Sequence, residues 1–148
     1  MTMGKTTFKP SEKLVSKVSE FEGFRAKAYY CPAGYLTIGF GHRTTTKAKQ
    51  VITMAEATAL LREDLAKAGD GVNALGVCKT QGQYDALTDF VFNLGIGRLK
   101  RSTLLRLIKH SAPAKLVQHE FKKWVYAGGK VMQGLVTRRN WEAERFVE

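Results

Sequence analysis

The stretch from Glu20 to His42 constrains this chain more than any other, because an apolar helical pattern runs into Glu22-Gly23 and a glycine-punctuated strand pattern follows at once. Ser11 precedes Leu14, Val15, Val18 and Phe21 at helical spacing, which predicts an N-capped helix of about three turns with Glu22 at its end, on or beside the apolar stripe. A carboxyl group placed there is partly desolvated, unlike the ordinary surface glutamate. Tyr29 and Tyr30 then lead into Pro32-Ala33-Gly34. Leu36, Ile38 and Phe40 alternate with Thr37 and Gly39, the pattern of a hairpin whose Thr37 faces away from the apolar side. Gly39 and Gly41 permit close backbone approach by a neighbouring strand or by a ligand. Glu22, Cys31 and Thr37 follow one another at intervals of nine and six positions. That order faces an acid with two small polar groups.

Helical patterning then continues to the C-terminus. Thr53 with Glu56 forms a capping box ahead of Ala57, Leu60, Leu61 and Leu65, with Gly69 and Gly71 as punctuation. Thr80 with Gln83 repeats it ahead of Tyr84, Leu87, Val91 and Leu94, closed by Gly95 and Gly97. Ser102 caps a short segment through Ile108, Pro113 suits the first turn of a helix running to Phe121 and Trp124, and Thr137 begins a last one through Trp141 and Phe146. The expected architecture is α+β, mostly α. It is one domain over 1–148, with a small hairpin lobe at about 12–65, a helical lobe at about 66–148 that also takes the N-terminal helix, and a cleft between them.

A chain of 148 residues buries enough surface for one core without disulfides or metal. Its 24 Lys and Arg against 13 Asp and Glu leave a formal charge of +11, which draws it to polyanions. The cations are scattered, densest from Arg98 to Lys123, and no aromatic-basic interleaving marks a nucleic-acid platform. Cys31 and Cys78 make no disulfide framework and have no zinc-ligand spacing around them. Cys78 reads as a structural thiol. The first ten residues lack the apolar core of a signal peptide, and no stretch has membrane-spanning length.

Cleaving a glycosidic bond takes a proton donor at the leaving oxygen and a group on the opposite ring face that places water or forms a bond. Glu22 fits the donor. The spacing and the letters around it resemble the phage-type lysozymes, the muramidases of glycoside hydrolase family 24. The resemblance runs from about Leu14 to Phe146, most specifically from Glu22 to His42, and less so in Phe92-Asn93-Leu94-Gly95 and from Gly134 to Glu142. The family usually carries aspartate where this chain has Cys31.

The resemblance implies a lysozyme-like fold and an endolysin that hydrolyses the β-1,4 bond between N-acetylmuramic acid and N-acetylglucosamine of peptidoglycan during phage lysis, with inversion. It implies Glu22 as the acid, Cys31 with Thr37 as the water-holding pair, and Asn93 and Gly39 at the substrate. Arg138 approaches the acid, and His42 pairs with Asp64 to support the fold. No cofactor or metal is implied. Neither are nucleic-acid binding and stable membrane insertion. The expected state is a monomer kept in the host cytoplasm until a separate holin releases it to the periplasm or cell wall. Two rival readings differ in class. One is a lytic transglycosylase forming anhydromuramic ends, which needs no attacking water and fits the loss of aspartate at Cys31. The other is a non-catalytic basic wall-binding module.

Overall fold

Ser11 opens the fold: its Oγ accepts the Leu14 amide at 3.0 Å and caps helix α1 (Glu12–Glu22). This is a computed structural model, and it describes residues 6–148, so the first half of the N-terminal stretch read for a leader lies outside the described residues. The Ser11 hydroxyl also donates to Asp85, which takes Arg145 Nη2 at 2.8 Å. The start of α1 is thereby tied to two later helices. Gly23, at φ +71°, ends α1 immediately after Glu22, in a conformation that a Cβ would strain.

Strands β1 (Arg25–Tyr30), β2 (Leu36–Gly39) and β3 (His42–Arg43) form one antiparallel sheet in that order, with Thr37 opposite Tyr29 on one side and Arg43 on the other. Residues 50–52 cover the outer edge of β1, through Ala28 N to Gln50 O and Ile52 N to Ala26 O, each 2.9 Å.

Helix α2 (Met54–Leu75) starts on the expected reciprocal capping box, Thr53 and Glu56 exchanging two bonds of 3.1 Å. Gly69 and Gly71 do not punctuate it. They are contact points: a Cβ on Gly69 would stand 1.8 Å from the Tyr84 hydroxyl, and one on Gly71 would stand 3.2 Å from Ile96 Cδ1. Helices α3 (Gln81–Leu94) and α4 (Ile96–Lys100) press there, and packing overrides the helix-breaking tendency of glycine. Thr80 caps α3, but Gln83 Oε1 accepts the Lys79 amide at 2.8 Å instead of closing the box.

Ser102 caps α5 (Thr103–Lys109), and Pro113 precedes α6 (Ala114–Phe121). Trp124 lies beyond that helix and meets Phe90 edge-on at 5.3 Å. Two short strands, β4 (Tyr126–Ala127) and β5 (Lys130–Val131), turn around Gly128 and Gly129 at φ +58° and +78°. Reading helix throughout overlooked this hairpin, although a two-glycine loop is its ordinary signal. Helix α7 (Gln133–Phe146) begins one turn before Thr137.

Two apolar clusters result. Leu14, Val15 and Val18 join Ile38, Phe40, Ile52, Leu61 and Leu65 in one, while Val72, Leu87, Phe90, Leu104, Phe121 and Phe146 belong to the other. Helix α2 serves both and crosses the expected lobe boundary unbroken. Helix α1 buries Leu14, Val15 and Val18 in the first cluster, together with Ile38 and Phe40 of the hairpin side.

Candidate active site

Glu22 borders a cleft of about 460 Å³ whose walls are Gly41, His42, Arg43, Asp64, Lys67, Phe92 and Asn93. Gly41 lets the sheet come this close: at φ +78°, a Cβ on it would stand 3.1 Å from Glu22 Oε2. On its other oxygen Glu22 accepts Arg138 Nη1 at 3.0 Å. Arg138 is 5% exposed and turns its Nε and Nη2 to Asp89, which is fully buried, at 2.7–3.1 Å. Burial alone would lower the pKa of that guanidinium, but Asp89 and then Glu22 hold it above the ordinary arginine value. Arg138 also lines a second, more apolar groove of about 530 Å³ beside Phe21, Met132 and Leu135.

Cys31 and Thr37 come together, as their places on the hairpin require. Cys31 N donates to Tyr35 O at 2.9 Å, and the chain turns back through Gly34 N to Cys31 O at 2.8 Å. The Tyr35 amide, opposed by partial burial and helped by the Ala33 amide, lowers the Cys31 thiol from its ordinary range. Cys78 is the opposite case, pushed up to about 12 by burial. Thr37 is 4% exposed and donates to Tyr35 O at 2.9 Å. Neither Cys31 nor Thr37 lines the cleft beside Glu22. Arg43 connects the two places, since it walls the cleft and stacks on the Tyr35 ring at 3.7 Å.

His42 Nδ1 lies 2.7 Å from Asp64 Oδ2, joining β3 to α2. Asn93 faces the cleft with its Oδ1 already bonded to Arg139 Nη2, which leaves its NH₂ as the free donor. Gly39 is not at the cleft. At φ +67° it is buried against α2, where a Cβ would meet Ala57 Cβ at 3.0 Å and Ile52 Cδ1 at 3.1 Å. The residue that needed close approach at the site was its neighbour Gly41. Asp89, Arg139 and Glu142 were also missed. Asp89 was absorbed into the apolar run before Asn93, and only the i, i+3 spacing of Arg139 and Glu142 marked them in the sequence. Among the described residues, no three His, Cys, Asp or Glu side chains gather as a metal site would require.

A helical body, a small sheet and an acid at their junction define a lysozyme-like protein. The chain matches the Phage lysozyme family over residues 19–142 and belongs to it. It is 41% identical over 140 residues to the endolysin of Bacillus phage PZA, covering 92% of this chain and 54% of that protein. To the endolysin of Acyrthosiphon pisum secondary endosymbiont phage 1 it is 39% identical over 141 residues, covering 92% and 96%. Among solved structures it is similar to the muramidase domain of SpmX from Asticaccaulis excentricus, with a TM-score of 0.84 at 32% identity over 95% and 98% of the two chains. The chain thus spans about half the length of the Bacillus phage relative and nearly all of the other two.

Proposed function

We propose that this chain is the muramidase of a phage endolysin and hydrolyses the β-1,4 bond between N-acetylmuramic acid and N-acetylglucosamine in peptidoglycan. The observation that carries this reading is Glu22, placed at the wall of a cleft beside Asn93 and aimed by Arg138 from behind. Protonated Glu22 gives its hydrogen to the glycosidic oxygen as the bond to the sugar's anomeric carbon breaks. A water held by Cys31 and Thr37 forms the new bond from the other face, and the Cys31 thiolate accepts the water's proton. Water on the face opposite the acid inverts that carbon. Because the sulfur and the threonine lie outside the pocket wall, the sugar bridges pocket and hairpin edge. The NH₂ of Asn93 donates to a sugar oxygen, and His42 with Asp64 holds β3 in place.

Among the described residues no helix is long and apolar enough to cross a membrane. The proposed course is accumulation in the host cytoplasm as a monomer and release to the wall through a holin.

Digestion of purified peptidoglycan with the native chain and with Glu22→Gln, read by mass spectrometry, tests the reading. Reducing muramic ends are expected from the native chain, and from the variant a rate lower by about a hundredfold or more. Anhydromuramic ends would replace hydrolysis by the transglycosylase reaction, and a Glu22→Gln chain of normal activity would remove the acid.

A further inference from the structure

Behind Glu22 lies a carboxyl group that the proposed reaction leaves unused. Glu142 has no exposed surface and neither of its oxygens receives a hydrogen bond. Arg139 Nε stands 3.1 Å from Oε1, near enough for charge attraction, but its N–H is not aimed there. The other close group is the carboxyl of Asp89, equally buried, whose two oxygens both accept from Arg138. Two ionised carboxylates repel in a dry site, whereas one proton between them makes a hydrogen bond. Asp89 has the two-pronged guanidinium and Glu142 has no donor, so the proton belongs to Glu142.

We propose that Glu142 is a neutral carboxylic acid donating its hydrogen to Asp89, and that it is a positioning residue: Glu142 fixes Asp89, Asp89 fixes Arg138, and Arg138 fixes Glu22. The positioning role rests on the reading of Glu22 above; the protonation does not. The same cluster holds the cleft amide, because Arg139, beside Glu142, grips Asn93. Burial and then the charge of Asp89 push Glu142 well above the usual carboxylate range. Asp89 is held below its own range, against its burial, by the charge of Arg138 and by the bond from Glu142.

The charged groups facing Glu142 are Asp89 from α3 and Arg138 and Arg139 from α7, with Glu22 of α1 beyond Arg138. Helix α6 meets α7 here through the neutral amide of Gln118, bonded to Ala143 O at 3.0 Å. Because the folded-state pKa of Glu142 is raised, the stability it contributes is complete below its unfolded value and is lost as pH rises through the folded value. Glutamine keeps the donor and has no proton to lose.

The test compares the native chain with Glu142→Gln and Glu142→Leu by unfolding stability against pH, infrared spectra and kcat. The native chain at neutral pH should show a protonated-carboxyl band that Glu142→Gln lacks. Glu142→Gln should keep kcat within about twofold and lose the alkaline decline in stability, and the folded Glu142→Leu chain, without a donor, should fall about tenfold or more in kcat with KM little changed. A missing band, or a Glu142→Gln chain as impaired as Glu142→Leu, would overturn the protonation. Unchanged kcat in a folded Glu142→Leu chain would overturn the positioning role. Failure of the Glu22 reading would leave the band and the stability profile unaffected, so the two failures are distinguishable.

Discussion

Arg138 reaches Glu22 with a single N–H at 3.0 Å and gives the other edge of its guanidinium to Asp89. The catalytic carboxyl is thus aimed by a cation that is itself clamped from behind. Arg138→Lys keeps the charge but cannot serve both carboxylates in this geometry. It should lower kcat about ten- to a hundredfold with a small change in KM, measured on soluble wall fragments. Arg138→Ala also strands Asp89 as a buried unpaired charge, and should cost about 3–5 kcal/mol in denaturant unfolding. A fully active Arg138→Lys enzyme would show that the fork is dispensable.

His42 and Asp64 hold β3 to α2 across 2.7 Å, with side chains 26% and 20% exposed. A partly solvated pair of this kind is worth about 1 kcal/mol. His42→Asn should therefore lower Tm by about 3 °C and leave most wall-clearing activity. Lost activity in a chain of unchanged Tm would move His42 from the fold into the reaction.

Gly69 permits the closest approach between α2 and α3, with the Tyr84 hydroxyl occupying the place of its missing Cβ. Tyr84 is 1% exposed and has nowhere to withdraw. Gly69→Ala should destabilise by about 1–3 kcal/mol, although alanine is the better helix former. Calorimetry showing a more stable variant would mean that the interhelical contact yields easily.

The elements legible in the sequence were those set by local chemistry: the Ser11 and Thr53 caps, the turn at Pro32-Ala33-Gly34, and the run of apolar residues that ends at Glu22. Those that were not depend on distant neighbours. Gly69 and Gly71 look like helix ends until Tyr84 and Ile96 are brought against them. Gly39 and Gly41 are equivalent as letters, yet one faces α2 and the other Glu22. Asp89 looked like part of an apolar run because nothing local reveals that a residue 49 positions away turns a guanidinium toward it. In the site, the family spacing marked Glu22, Arg138 and Asn93 but could not show the buried cluster joining them.

Cys31 is the departure from the family that most directly tests the mechanism. The Tyr35 amide holds the Cys31 thiol below the ordinary range, so thiolate is available at a lower pH than for a free cysteine. Burial keeps Cys78 protonated and unreactive. A small alkylating reagent near neutral pH should modify Cys31 first and stop lysis in step with that modification, followed by peptide mass mapping. Cys31→Asp should stay active and resist the reagent, because a carboxylate can hold and deprotonate the same water. Cys31→Ala should be slower than Cys31→Asp by about a hundredfold, the usual scale for a lost general base. If Cys31→Ala clears walls at the native rate, the sulfur does not position water. The attacking group would then come from elsewhere, and anhydromuramic ends among the products would identify it as the substrate's own hydroxyl.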